Sequence, residues 1–270
     1  MITHITSPQF AGVKHANIAA STRLIGPERR AWPLALIWLR AKAFSMRRFL
    51  PTFLLLVLGI NTGWFVVYSG DLGLRGLTSE APREVSRVFH DGSVLANTGI
   101  ALHMIAGAVL TFGAPLQALP IVRRRWPGLH RRFGYVLFVL AVATGLGGLV
   151  YITLSGTVGG WWMSLWFTIY GVAMIWAASN TVYHAIAKDM RRHFAWAVRL
   201  VILAVGSWIY RMHYAIWYAA TGGVASNEAF TGLFDQIQVA AFFVPYLLIA
   251  EIILRRREAQ RGPKRASRRI

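Results

Sequence analysis

Five histidines and two arginines fall inside or at the ends of long apolar runs: His103, His130, His184, His193 and His213, with Arg199 and Arg211. Titratable groups are costly in such surroundings, so each needs a partner or a task. Two of the histidines stand four residues before a glycine, His103 before Gly107 in "LHMIAG" and His130 before Gly134 in "LHRRFG". Residues four apart share a helix face. Neutral imidazole ligates iron, and pairs of histidines on facing helices are how bundles hold b-type haem. Gly107 and Gly134 would then give clearance for a flat ring, and Arg199 and Arg211 would suit its propionates, because guanidinium grips carboxylate bidentately. A plainer chemistry competes. Small residues at four-residue spacing let helices approach closely in lipid, with histidine and arginine making interhelical hydrogen bonds or reaching lipid headgroups.

The elements that position these residues follow from hydropathy. The chain has 270 residues, is 56% hydrophobic and has a mean hydropathy of +0.47. Residues 133–187 contain no Asp, Glu, Lys or Arg, a run of 55 positions. A helix needs roughly 20 apolar residues to cross a bilayer, so this run holds two spans and a turn. The chain reads as an all-α, polytopic membrane protein with six spans, at residues 49–68, 98–119, 133–154, 161–185, 194–217 and 237–254. Residues 1–48 form an N-terminal tail, 49–254 the transmembrane bundle with the second to fifth spans at its core, and 255–270 a basic tail.

Charge sets the orientation. The N-terminal tail carries 8 Lys and Arg, the second-to-third connection 5, the fourth-to-fifth connection 3 and the C-terminal tail 8. The opposite side has only Arg75, Arg83 and Arg87, with six of the ten acidic residues. Positive connections stay in the cytoplasm, so both termini are expected there, in the cytoplasmic membrane. The net charge of +19 is thus a topology signal, with anionic headgroups as its partner and no nucleic acid. Trp64, Trp126, Trp161, Trp162, Trp196 and Trp217 near span ends read as interfacial anchors. The stretch "EAPREVSRVFHDG" is a candidate short surface helix. The first span is longer than a signal h-region and lacks an A-x-A site, so it reads as uncleaved. Met46 is a second plausible start, and residues 1–45 read equally as an upstream extension.

With helices alternating in direction, the candidates sort into two levels. His103, His213 and Arg211 fall toward the outer side, and His130, His184, His193 and Arg199 toward the cytoplasmic side. His103 and His213 form a candidate outer pair and His130 and His193 an inner pair, with His184 as an alternate. The absence of cysteine removes thiolate metal sites, iron–sulfur clusters and covalent c-type haem. No carboxylate falls in mid-span, which argues against a proton pump, and no HExxH, GxSxG, P-loop or GxGxxG occurs.

The stretch "LHMIAGAVLTFGAPLQALPIVRRRWPGLHRRFGYVLFVLAVATGLGGL", with "RRHFAWAVR" further on, resembles the bacterial integral-membrane family known as domain of unknown function 2306. The shared features are Leu-His-x-x-x-Gly, Pro-Leu-Gln, an Arg-rich turn and Leu-His-Arg-x-x-Gly-x-x-Tyr. The likeness runs over residues 95–214 and departs where Phe194 follows His193. It implies a membrane class and no activity. A more distant similarity is to di-haem transmembrane b-type cytochromes, which carry histidines on four consecutive helices and pair alternate helices. That similarity implies His130 with His193, whereas His103 would need a partner on the fourth span, where His184 lies at the wrong end. Two functions therefore stand: a non-catalytic membrane protein using His and Arg for interhelical or headgroup contacts, and a haem b electron-transfer protein dealing with a quinone.

Overall fold

The computed structural model describes residues 62–261, together with Phe53 and Ile60. The predicted N-terminal tail, most of the first span's leading half and the last nine residues lie outside the described residues. Nine helices follow in order among the described residues: α1 over residues 62–78, α2 Pro82–Val85, α3 Val94–Ala118, α4 Pro120–Arg125, α5 Pro127–Ser155, α6 Gly160–Ile186, α7 Met190–Thr221, α8 Leu233–Ala241 and α9 Val244–Arg261. No strand occurs among them. Among the described residues, five segments are long and apolar enough to cross a membrane: α3, α5, α6, α7 and Leu233–Gln260.

The helices overrun the apolar runs at several ends, because basic side chains at a terminus can stay helical and reach headgroups. Thus α5 begins at Pro127 rather than at Phe133, and the predicted basic tail continues α9 as far as Arg261. Stops have local causes. Leu119 adopts extended backbone ahead of Pro120, which ends α3, and prolines occupy the first turns of α4 and α5. Gly222, in the left-handed region at φ 69°, closes α7 with its N–H on Tyr218 O. Asp189 opens α7 by accepting from the Arg192 N–H at 3.0 Å. That hydrogen bond, helped by the Arg192 charge, holds the Asp189 carboxyl below its ordinary value.

Helices α3, α5, α6 and α7 pack in a closed ring, α3 on α5, α5 on α6, α6 on α7 and α7 back on α3. Glycines set how close they come. A Cβ on Gly147 would lie 2.5 Å from Gly99 O, and one on Gly145 2.6 Å from Ile175 Cγ1, so backbones meet where side chains would otherwise hold them apart. The core between the helices joins Leu110 and Ala114, Leu137 and Ala141, Tyr170 and Met174, and Leu203 and Ala204. The sixth predicted span is two helices, and at the break Phe242 and Phe243 turn inward onto Tyr170, with ring centroids 4.9 and 5.3 Å away. Inserting two aromatic rings into the core offsets the loss of regular helix at that point.

Candidate functional site

A cavity of about 430 Å³ opens between α1, α3, α5, α6 and α7. Its polar lining includes His103 of α3 and Arg211 of α7, with Arg87 and Thr144. The His103 Nδ1–H donates to Thr144 O on α5 at 2.9 Å, since a carbonyl can only accept. The ring reaches that oxygen because Gly148 carries no Cβ: a methyl there would stand 2.9 Å from Nδ1. With Nδ1 committed, the neutral ring keeps its lone pair on Nε2, which has no hydrogen-bond partner among the described residues. The Thr144 Oγ1 is fully buried and likewise unpartnered.

Arg211 also lines this space. It donates from Nη1 to Ser207 O at 3.0 Å and lies over the Phe65 ring of α1 at 4.7 Å. Among the described residues it forms no ion pair, in contrast to Arg199. Its charge is within electrostatic range of the His103 ring.

The other candidates are placed elsewhere. In His213 both ring nitrogens are engaged, Nδ1–H toward Gln238 Oε1 at 3.1 Å and Nε2 accepting from the Tyr246 hydroxyl at 2.8 Å. This ties α7 to α8 and α9, and His213 does not line the cavity with His103. His130 donates from Nδ1 to Gln117 Oε1 at 2.5 Å, while Gln117 Nε2 donates to His130 O at 3.1 Å, a two-way clasp between α3 and α5. His193 donates to Thr181 O at 2.8 Å, closing the α6–α7 corner, and lies within electrostatic range of His130. His184 is buried with its ring 5.1 Å from that of Tyr183. Arg199 pairs with Glu251 of α9 at 2.5 Å and sits over Trp196 at 4.6 Å, and the other Glu251 oxygen takes Arg255 at 2.7 Å.

The two glycines differ. Gly107 lines the cavity, where a Cβ would make ordinary contact with Thr144 Cγ2 at 3.4 Å, whereas Gly134 faces open space. No group of three or more His, Asp or Glu side chains suited to a metal ion occurs among the described residues. Sequence reasoning passed over Thr144 and Tyr246, and placed Glu251 and the buried Asp235 at the ends of the sixth span without giving them a partner. Asp235 accepts from Tyr214 Oη at 2.8 Å, Ser226 Oγ at 2.7 Å, Asn227 N at 3.1 Å and Gly232 N at 3.0 Å. Glu251 stands four residues before Arg255 and Asp235 three after Gly232, but their partners Arg199 and Tyr214 come from α7, which no local spacing shows.

Neither a curated protein nor a solved structure matches the chain. Residues 100–254, which carry the five candidate histidines with Arg199 and Arg211, match the family described as "Predicted membrane protein (DUF2306)", and the chain belongs to that family.

Proposed function

We propose that this is a six-span protein of the cytoplasmic membrane, with both termini cytoplasmic and its basic corners against anionic headgroups. We read it as a non-catalytic binding protein that holds one lipophilic molecule inside its helix ring. The observation that carries the reading is a contrast. His130, His213 and Arg199 are each joined to a side chain on another helix, whereas His103 and Arg211, hydrogen-bonded among the described residues only to the backbone carbonyls of Thr144 and Ser207, line one cavity. A ligand that accepts from Arg211 or donates to His103 Nε2 would add a hydrogen bond, each a net gain of about 0.5–1.5 kcal/mol. A volume of 430 Å³ falls in the range of roughly 300–1,000 Å³ common for small-molecule sites. The test is to purify the full chain in mild detergent, extract it with organic solvent and weigh what is released. A lipophile near one per chain is expected, lost in Gly107→Phe, which fills the cavity. An extract with no such molecule, together with a Gly107→Phe protein as stable as the parent, defeats the reading.

A second reading, haem b, has its own support. His103, His130 and His193 each donate Nδ1–H to a carbonyl oxygen and leave Nε2 unengaged among the described residues, as second-shell bonds do for metal-bound imidazoles. His130 and His193 would form the inner pair, with Arg199 near a propionate only if it left Glu251. At the outer level His103 with Arg211 suits a haem edge, but His213 would have to release Gln238 and Tyr246 to ligate. Visible spectra of oxidised and dithionite-reduced protein decide: a colourless preparation from haem-replete cells removes this reading and leaves the first intact.

A further inference from the structure

Resting on the reading that the helix ring holds a lipophile, we propose that the occupant is a hydroxylated aromatic ring lipid of the hydroquinone type. The site takes this reduced form in preference to the corresponding quinone. Depth is the first reason. His103 follows Val94 by nine residues and Arg211 precedes Thr221 by ten, about 14–15 Å from those helix ends at 1.5 Å per residue. Helix α3 is about 37 Å long, little more than a hydrocarbon core of about 30 Å, so His103 sits within hydrocarbon, below the reach of a phosphate headgroup.

The walls are the second reason. Phe65, Tyr151, Phe167, Tyr170, Tyr210 and Phe242 line the space, offering aromatic faces to a flat ring.

The third reason is the inventory of donors and acceptors. His103 has spent its proton on Thr144 O, so Nε2 accepts. The Tyr210 hydroxyl donates to Tyr214 Oη at 3.3 Å, and Tyr214 in turn donates to Asp235 at 2.8 Å, so Tyr210 presents lone pairs as well. Arg211 donates, and Arg87, which also lines the space with one N–H on Glu228 O, is a second donor. A complementary ligand carries an O–H for the His103 side and an accepting oxygen for Arg211. A hydroquinone has a hydroxyl at each end of its ring and does both. A quinone has acceptors only and sets an oxygen lone pair against Nε2, and a fatty-acid carboxylate serves Arg211 alone. The proposal concerns binding; no bond is formed or broken.

The full chain in phosphatidylcholine nanodiscs is titrated anaerobically with decylhydroquinone, and separately with decylbenzoquinone and with palmitate, by calorimetry. The hydroquinone is expected to bind at least about tenfold more tightly than the quinone, the worth of one buried hydrogen bond. His103→Phe should erase that preference, while lipid-facing Ile169→Ala changes neither affinity. If His103→Phe does not fold, the selectivity of the unaltered protein decides alone. Equal affinities, or binding of palmitate only, overturn the ligand class but leave the cavity reading standing. Failure of all three to bind, with Gly107→Phe as stable as the parent, overturns both.

Discussion

A methyl group on Gly148 would stand 2.9 Å from His103 Nδ1, so the glycine on α5 is what admits the imidazole of α3 to the Thr144 carbonyl. Gly148→Ala must therefore displace the ring or separate the helices. The expected loss is about 1–3 kcal/mol, the usual range for overpacking. Gly134→Ala meets nothing within 4 Å and should be neutral or slightly stabilising, as alanine is the better helix former. Thermal melts in one detergent compare the two, and equal midpoints would show that His103 does not depend on Gly148.

Arg199 and Glu251 are coupled across α7 and α9. Glu251→Ala strands a cation that is only 24% exposed, and a loss of about 1–3 kcal/mol is expected. The double change Arg199→Met with Glu251→Leu should recover most of it, since well-packed apolar residues replace such pairs at little cost. Additive losses in a double-mutant cycle would deny the pairing.

Asp235, with no exposed surface, gathers onto α8 four donors from α7 and the loop that follows it. Asp235→Ala leaves these donors unpaired and should cost about 3–5 kcal/mol, or prevent accumulation of folded protein. Asp235→Asn keeps the shape, loses the charge-assisted bonds and is expected to fall between. Limited proteolysis at residues 222–232 reports the loosening, and a loop as resistant in Asp235→Ala as in the parent would contradict the assignment.

Asp189 makes the α6–α7 corner sensitive to acid. Its folded carboxyl titrates below the ordinary value of 3.8, because the charged form accepts the Arg192 N–H. A lowered folded value means the carboxylate stabilises the corner fully above 3.8, and that contribution disappears as pH falls through the lower folded value. Hydrogen exchange at the Arg192 amide should therefore accelerate below this window in the parent. In Asp189→Asn the rate should keep only its intrinsic pH dependence. Identical profiles in the two proteins would remove the cap from the account.

Much of the architecture was legible in advance, and the reason is the solvent. In hydrocarbon every backbone group must be bonded within its own helix, so apolar length alone reports a span. The third to fifth predicted spans each fall within one helix of the closed ring and the second overruns α3 by one residue, while basic residues prolong the starts of α5 and α7. The break at Phe242–Phe243 was not legible, because a continuous apolar run gives no sign that two rings turn inward. The small-residue stripes were visible as spacing. That Gly145 serves packing against α6, Gly148 the room for His103, and Gly134 neither was not.

The amino-acid sequence by itself determined that the chain is a helical membrane protein and which titratable residues its spans carry. Both are set by local quantities, the hydropathy of about twenty consecutive residues and the places where charge interrupts it. Only the tertiary structure decided which of those residues are occupied by other parts of the protein. Rotation of each helix about its axis turned His213 to Tyr246, His130 to Gln117 and Arg199 to Glu251, and left His103 and Arg211 on one cavity. Those rotations come from the packing of neighbouring helices, a relation among distant segments that no single helix encodes.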